Sequence, residues 1–443
     1  MVCLVPLGAL AALGGAYPAA TIPLLAGSAA AFLVSKAHVA ARAEWRALDA
    51  ALLALVVMVL AQVIPLPSAA VEALSPHAGS LQRLALHPPD AVRSLSIDPR
   101  LTRAGLATLV SALLVFWAAR EAFAHGGIRA AVRAIACAGF AAALLGLAQR
   151  ATAPGLLLWR WRPIDPGAQP FGPFVNRNHF AAWLLLAAAV TAGYLVAHVR
   201  SHGDAHHGSR RLLARDLLRD GGGLLLGGAL ALMLLALAAS ASRAALLGAG
   251  VALASGLLAA RRRGAGGTRF RIAATAMAVL LAGAVWANRD ALARRVDPTI
   301  DGPLGGRAVI WRETAPIVGD FWLAGTGLGT YGQAMLQYQH TGKDRLFNHA
   351  HNEYLQLLAE GGVLLALPAV LAAWGWARLA RRRLRDDRSE LLWVRVGAAA
   401  GVCGFAVQSV FEAAVRMPAN ALLLALLAAL VIHERHPGKG EAP

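Results

Sequence analysis

The sequence predicts an all-α integral membrane protein with about 12 transmembrane helices and a large loop on the outer face. First, 58% of its 443 residues are hydrophobic, and the mean hydropathy is positive. Second, apolar runs such as residues 51–64, 181–196 and 419–432 carry no charged side chain. Third, short arginine clusters separate these runs. Because a membrane-spanning helix needs about 20 mainly apolar residues, this pattern disfavours the alternative of a very apolar soluble helical protein.

The predicted helices form a single polytopic membrane domain, residues 1–443. Several apolar runs are shorter than a membrane-spanning helix, so the sequence predicts about 10 to 12 such helices. The sequence contains no convincing internal repeat, which gives no support to an inverted-repeat transporter. The helices are centred near residues 8, 29, 56, 112, 139, 189, 231, 252, 280, 367, 403 and 426.

The basic residues indicate how the chain is oriented. The net charge is +18, but the charges flank the apolar runs instead of following one face, so no nucleic-acid partner is expected. One set of alternate loops holds 25 Lys and Arg, and the other holds 17 over a greater length. The positive-inside rule places the denser set on the cytoplasmic side of the membrane. The inner set comprises 35–47, 120–133, 199–221, 261–271, 378–395 and the C-terminal tail; the outer set comprises 65–103, 150–180, 240–243, 288–354 and 412–418.

The most polar stretch of the chain is the predicted place for chemistry. It runs roughly from Asn288 to Gly362, and we expect residues 288–354 to form a long periplasmic loop that carries the active site. Nucleotides and sugar nucleotides are absent from that side of the membrane. The glycine-rich stretch 325–329 therefore predicts a bend where backbone packs closely, not a nucleotide site.

His351 is the candidate catalytic residue of this loop. Asn348 is a suitable N-cap, and His351 and Tyr354 share the face of the helix predicted to follow it. The positive end of a helix dipole disfavours imidazolium, and a neutral imidazole can act as a general base. A histidine that merely caps the loop is the alternative.

Arginines near the outer helix ends are the second candidate feature. Guanidinium groups match phosphate oxygens and stay charged, so several of them together predict a diphosphate site. Contact with lipid headgroups is the alternative for any one of them. Two lie in very short outer turns, where the positive-inside bias disfavours arginine. The candidates are Arg177, Arg243, Arg307 and Arg416.

Several motifs together resemble the O-antigen ligase superfamily, which includes O-antigen ligases, O-antigen and exopolysaccharide polymerases and protein O-oligosaccharyltransferases. The resemblance covers most of the chain from about 171 to 430. His351-Asn352 is followed by nine residues and Gly362, as in the ligase pattern, but Leu365 departs from that pattern at its last position. The motifs, in chain order, are 176–181 (NRNHFA), 240–243 (SASR), Arg307 to Trp311, 325–329 (GTGLG), 351–356 (HNEYLQ) and 418–420 (PAN).

The resemblance implies a fold like that of C-type glycosyltransferases and transfer of a glycan from undecaprenyl diphosphate to an acceptor hydroxyl. The acceptor would be lipid A-core or another glycan, and the reaction would take place at the periplasmic face of a bacterial inner membrane. The outer segments contain no cluster of Asp and Glu that resembles a metal site, so no metal or other cofactor is expected.

The resemblance implies that His351 is the base and that Arg177 and Arg243 hold the diphosphate. It further implies diphosphate or glycan contacts for Arg307 and Arg416 and a substrate contact for Asn178. For Asn352 and Glu353 it implies either sugar binding or orientation of His351. Sugar stacking is implied for Trp311, Trp322 and Tyr331, with a place at the membrane interface as the alternative for Trp322.

Three functional classes remain open on the sequence alone. Within the glycan transferases, ligase and polymerase are nearly even. A transporter of polar solutes or lipid-linked glycans is more remote, because transporters usually carry ionisable groups near the bilayer midplane, whereas the predicted mid-helix segments here are nearly free of charge. A purely structural membrane partner would leave His351 and Arg243 without a role.

Overall fold

The computed structural model describes residues 2–78, 81, 93–164, 168–203, 220–263, 282–283, 306–342 and 346–434. The structure is about 75% helix, and β-structure within these ranges is limited to isolated β-bridges. The α-helices are α1 (Leu4–Ala11), α2 (Thr21–Val34), α3 (Arg46–Val63), α4 (Ser68–Leu74), α5 (Pro99–Ala124), α6 (Ile128–Thr152), α7 (Arg177–Gly203), α8 (Gly221–Ala239), α9 (Arg243–Arg262), α10 (Arg307–Asp320), α11 (Tyr331–Tyr338), α12 (Glu353–Asp386), α13 (Leu392–Gln408) and α14 (Pro418–Ile432).

Seven helices in the described ranges are long and apolar enough to cross a membrane: α3, with its preceding turn, and α5, α6, α7, α8, α9 and α12. Three shorter apolar helices accompany them, namely α2 with its preceding turn, α13 and α14. The chain is therefore an all-helical, multi-pass membrane protein, as predicted. The helix expected near residue 8 is α1, which has only eight residues. The helix expected near residue 280 lies outside the described residues.

Glycines set the closest helix contacts of the core. Gly397 and Gly404 lie on one side of α13. A Cβ at Gly397 would overlap the backbone of α7 at Ala189 and Gly193, and a Cβ at Gly404 would overlap that of α9 at Gly248. Small residues allow helix backbones to approach closely where apolar burial alone does not drive association. Helix α13 thus packs directly against both α7 and α9 through this side.

The described contacts between loops join segments of the same predicted set, while the side of the membrane on which each set lies stays a prediction. Ion pairs join segments assigned to the inner set, namely Arg42–Glu434, Arg383–Glu44 and Arg129–Glu390. Hydrogen bonds join segments assigned to the outer set: Ile97 N donates to Thr326 O at 2.9 Å, and Asn178 Nδ2 donates to Glu412 Oε2 at 2.6 Å.

Helix α12 is interrupted near its start. Gly362 has φ 56° and ψ −160°, a conformation open mainly to glycine, and a Cβ there would overlap the backbone of Leu323. The amides that lose their helical partners bond to the segment before α11: Val363 N donates to Trp322 O at 2.8 Å, and Leu364 N to Leu323 O at 3.1 Å. Non-helical backbone at membrane depth needs such internal partners.

The glycine-rich stretch 325–329 closes the other side of this break. All three of its glycines have positive φ, and Gly327 N donates to Glu360 O at 2.9 Å. Gln62 of α3 fastens the junction, since its Nε2 donates to Ala324 O at 2.7 Å and to Glu360 O at 2.8 Å. The stretch is a closely packed bend, as predicted from the sequence.

Candidate active site

His351 and Glu412 form a hydrogen-bonded pair at the end where the predicted outer loops meet. His351 Nδ1 lies 2.9 Å from Glu412 Oε1, and the side chain of His351 is 32% exposed while that of Glu412 is 1% exposed. Glu412 lies in the turn between α13 and α14. A carboxylate at Nδ1 fixes the ring orientation and the tautomer, with the proton on Nδ1. The lone pair of Nε2 is then available to accept a proton.

The local geometry around His351 differs from the prediction. The N-cap of α12 is Asn352, whose side chain accepts from Leu355 N at 3.1 Å, and not Asn348. His351 therefore precedes the helix instead of lying in its first turn, and its φ of 48° is left-handed. Such a conformation persists where surrounding contacts enforce it. Here the bond to Glu412 on one side and the cap on the other do so.

Glu412 organises the polar groups of several elements. Asn178 Nδ2 of α7 donates to Oε2 at 2.6 Å, and Arg307 Nη2 of α10 lies 3.8 Å from the same oxygen. Burial alone would raise the pKa of Glu412, but the positive charge of His351 when the ring is protonated, its hydrogen bond, and the nearby His179 and Arg307 lower it to about 2. The group is therefore a carboxylate at neutral pH.

Three of the four candidate arginines occupy the first position of a helix: Arg177 begins α7, Arg243 begins α9 and Arg307 begins α10. Arg243 is exposed and has no ion-pair partner among the described residues. Within the described ranges, Nη1 of Arg177 and Nε of Arg307 are buried and have no hydrogen-bond partner. Burial lowers the pKa of Arg307, Glu412 opposes this, and the charge of Arg243 lowers it further. Arg243 and Arg307 thus lie close enough to repel each other.

The fourth candidate, Arg416, is held differently. Its Nε donates to Glu353 Oε1 at 2.8 Å, and its Nη1 donates to the fully buried Glu360. Burial alone would lower the pKa of Arg416, but these two carboxylates hold it above its usual range. Since two acidic side chains already neutralise the guanidinium, the structure gives Arg416 a role in the fold. Its predicted contact with the diphosphate stays a prediction and is the least favoured of the four.

Two other predicted substrate contacts also have internal roles. Asn352 caps α12, and Glu353 is the partner of Arg416. Their predicted sugar contacts therefore also stay predictions. Tyr331 was expected to stack on sugar rings, which is wrong: it is 1% exposed, and its hydroxyl lies 2.7 Å from Thr314 Oγ1.

Two further histidines lie near the pair. Burial lowers the pKa of His349 to about 3, so this ring stays neutral beside Gln356. His179, two residues after Arg177, is 6% exposed, and both its ring nitrogens are buried without a hydrogen-bond partner in the described structure. Within the described ranges, no three His, Cys, Asp or Glu side chains are grouped as metal ligands would be.

Sequence reasoning missed Glu412 as a functional candidate. A lone carboxylate in a tight outer turn, four residues before Arg416, was a usable signal. The motif at 418–420 also acquires a structural reason. Asn420 Nδ2 donates to His179 O at 3.2 Å and to Ala414 O at 3.0 Å, which ties the start of α14 to that of α7.

The fold and site together define a multi-pass membrane protein that presents a histidine–glutamate pair and helix-terminal arginines at one end. A family model described as O-antigen ligase matches residues 228–368. The match confirms the resemblance to the O-antigen ligase superfamily, whose members are glycosyltransferase-like ligases or polymerases. It includes Arg243, Arg307 and His351, whereas Arg177 and Glu412 lie outside it. No curated protein gives a significant match to the chain.

Proposed function

We propose that this protein transfers a glycan from undecaprenyl diphosphate to an acceptor hydroxyl at the periplasmic face of the bacterial inner membrane. The observation that carries the proposal is the pairing of His351 with Glu412 at the same end as three helix-terminal arginines. A base and a polyanion site, side by side, are what glycosyl transfer from a lipid diphosphate requires. The donor's own leaving group makes a nucleotide unnecessary.

In the proposed reaction, His351 Nε2 accepts the proton of the acceptor hydroxyl as its oxygen bonds to the anomeric carbon of the donor sugar. The bond between that carbon and the phosphate oxygen breaks, and undecaprenyl diphosphate leaves with the electron pair. Glu412, as a carboxylate, stabilises the imidazolium that forms. The product is a new glycosidic bond, and the proton returns to solvent from His351.

Arginines stabilise the charge that develops on the leaving diphosphate. Arg243 and Arg307 are the favoured pair, because the charge of Arg243 lowers the pKa of Arg307 and Arg243 has no carboxylate partner among the described residues. Arg177 follows, with a buried Nη1 that has no protein partner in the described structure. Amides at the starts of α7, α9 and α10 add to the positive potential.

Within this reaction class, a ligase that caps lipid A-core is the first candidate and a polymerase is the second. The observation that favours the polymerase is Leu365, which stands where the ligase pattern has Gly, Thr or Tyr. Leu365 is 2% exposed and lies against the break in α12, so the departure is a matter of packing near the site.

The test is a deletion strain complemented with wild type, His351→Gln, Arg243→Ala or Arg312→Ala. Arg312 is exposed on the same helix as Arg307 and serves as the matched control. We expect the first two variants to lose glycan transfer at normal protein levels and Arg312→Ala to retain it. Long glycan left on the lipid carrier would identify a ligase, and single repeat units a polymerase. Normal glycans in both site variants would contradict the proposal and favour a transporter.

A further inference from the structure

One exposed stripe of α12 changes abruptly from apolar to basic. Residues three and four positions apart share a face of a helix, and the exposed residues of α12 follow this spacing. The apolar members are 41–58% exposed, so on a membrane-spanning helix they face lipid. Two arginines continue the same face without a gap. The stripe consists of Leu364, Leu367, Leu371, Trp374, Arg378 and Arg381.

The apolar part of this stripe is as long as one leaflet of a bilayer is thick. At about 1.5 Å per residue, Leu364 to Trp374 spans about 15 Å, which is half of a hydrocarbon core of about 30 Å. Trp374 ends the apolar part, and tryptophan favours the membrane interface. The guanidinium of Arg378 lies over its ring, 4.7 Å from the ring centroid. A stacked guanidinium keeps its N–H edge available for a phosphate oxygen.

The arginines of the stripe differ from their neighbours because no carboxylate neutralises them. Arg382 and Arg383, on the adjoining face, both pair with Glu44. Arg378 and Arg381 are exposed and have no ion-pair partner among the described residues. The helix dipole does not account for them, because it favours cations in the last turn of α12, which both precede. Their charge is therefore left for a partner outside the chain.

Helix α3 places a third arginine at the same depth. The ion pairs with Glu44 bring the start of α3 beside the end of α12, and a Cβ at Gly375 would contact Leu48 at 3.6 Å. Arg46 and Arg378 lie two and three residues from this contact, hence within about 5 Å of it along the helix axes. Arg46 is also exposed. The exposed apolar side chains that follow Arg46 on its face of α3 are Leu53, Val57 and Leu60.

We infer that Arg46, Arg378 and Arg381 bind the phosphate of an anionic phospholipid whose acyl chains lie along the apolar stripe of α12. Guanidinium groups donate charge-assisted hydrogen bonds to phosphate oxygens. A zwitterionic lipid would bring its own cation to the arginines, so the site selects a headgroup with net negative charge. A soluble acidic protein would leave the apolar half of the stripe unused.

This lipid site is distinct from the candidate active site. Arg378 lies about 35–40 Å along α12 from Glu353, next to which His351 stands. A donor diphosphate that reacts at His351 therefore cannot occupy the three arginines at the other end of the helix. The inference holds whether or not the protein transfers a glycan.

The test is native mass spectrometry of the full chain in neutral detergent micelles, which resolves individual lipid adducts. Dioleoyl phosphatidylglycerol and dioleoyl phosphatidylcholine share their acyl chains and differ in headgroup charge. We expect the anionic lipid to bind at least about fivefold more tightly. At about fivefold per arginine, the double variant Arg378→Gln/Arg381→Gln should weaken its binding about 10- to 30-fold, while Arg378→Lys/Arg381→Lys should keep most of it.

The matched control is Arg261→Gln/Arg262→Gln, which removes the same charge from exposed positions in the last turn of α9. It should change phosphatidylglycerol binding by less than about threefold. A loss in this control equal to that in the site variant would mean general charge attraction and would overturn the inference, as would equal binding of the two phospholipids. Undecaprenyl phosphate is the third probe, and tighter binding of it than of phosphatidylglycerol at the same arginines would refute the phospholipid assignment.

Two further measurements keep the outcome decisive. Neither Arg378 nor Arg381 has a described side-chain hydrogen bond, so the double glutamine variant should keep the wild-type melting temperature in neutral detergent. If it does not, Arg46→Gln decides alone, with an expected loss of about fivefold in phosphatidylglycerol binding. His351→Gln should bind the phospholipid normally, which separates this inference from the proposed function.

Discussion

Glu412→Gln is the sharpest perturbation of the proposed mechanism, because it preserves volume while removing one charge. In the wild type, one oxygen of Glu412 faces His351 Nδ1 at 2.9 Å and the other accepts from Asn178 at 2.6 Å. A glutamine has one oxygen and one NH2 group. If the oxygen accepts from Asn178, the NH2 group faces Nδ1 and forces the ring proton onto Nε2. If the oxygen faces Nδ1, two NH2 groups confront each other.

Either arrangement weakens the base. Loss of a hydrogen bond to a charged group removes about 1.5–3 kcal/mol of stabilisation of the imidazolium that forms in the transition state. At about 1.36 kcal/mol per tenfold, this corresponds to a decrease of about 10- to 150-fold in kcat. The wrong tautomer adds to that loss. Because the carboxylate does not contact the acceptor in the proposed mechanism, the KM for the acceptor should change little.

The assay is transfer by the purified full chain, with lipid-linked glycan and acceptor extracted from the deletion strain and with kcat and KM determined separately. Glu313→Gln is the matched control. Glu313 is also buried, but its Oε1 accepts from the backbone N of Thr341 and from Thr341 Oγ1 and does not contact His351. We expect that control to lower the melting temperature without a tenfold loss of kcat. A Glu412→Gln variant within about threefold of the wild-type kcat would refute the assignment of Glu412 as the positioning residue.

Three further predictions separate binding, backbone and structural roles. Arg243→Ala should lower kcat/KM for the lipid-linked donor about 10- to 150-fold, and Arg243→Lys should restore little, since a lysine lacks the bidentate fork; an equal effect of Arg312→Ala would make the loss nonspecific. Gly362→Ala should destabilise the protein by about 1–3 kcal/mol in thermal melts, because its φ of 56° is strained for a residue with a Cβ. Gly375→Ala, in regular helix with room for a Cβ, should be neutral or stabilising, and similar melts for both variants would contradict the break in α12. Arg416→Gln should cost about 3–5 kcal/mol by leaving a buried carboxylate unpaired, and normal stability with weakened donor binding would instead support a diphosphate contact.

The features that the sequence predicted are those decided by local composition. Apolar runs decide membrane helices almost without regard to tertiary contacts, because lipid imposes its own length and polarity. The contacts within each predicted set of loops agree with the grouping that the flanking charges gave. Short motifs around Arg243 and His351 carried enough specificity for the superfamily, which the match to residues 228–368 confirmed.

The features that the sequence could not predict depend on distant partners. Asn348 and Asn352 are both good caps, four residues apart, and part of what decides the helix start is the bond from Glu353 N to Ser409 O. Glu412 becomes a partner of His351 only when the turn after α13 meets the start of α12. The sequence does not distinguish Arg416 from the other candidate arginines, because its carboxylate partners Glu353 and Glu360 are distant in the chain.

The positions of the arginines link stability to the proposed chemistry. A cation in the first turn of a helix opposes the macrodipole at a cost of about 0.3–1 kcal/mol, and Arg177, Arg243 and Arg307 each stand at such a position. Arg243 adds to the cost by repelling Arg307. Among the described residues, the carboxylate near these groups is Glu412, which His351 and Asn178 already engage. A fold selected for stability alone would place acidic side chains at these helix starts, as α12 does with Glu353. The surplus of positive charge therefore suits a ligand that carries more than one negative charge, and a diphosphate bound there would stabilise the folded protein as well as react in it.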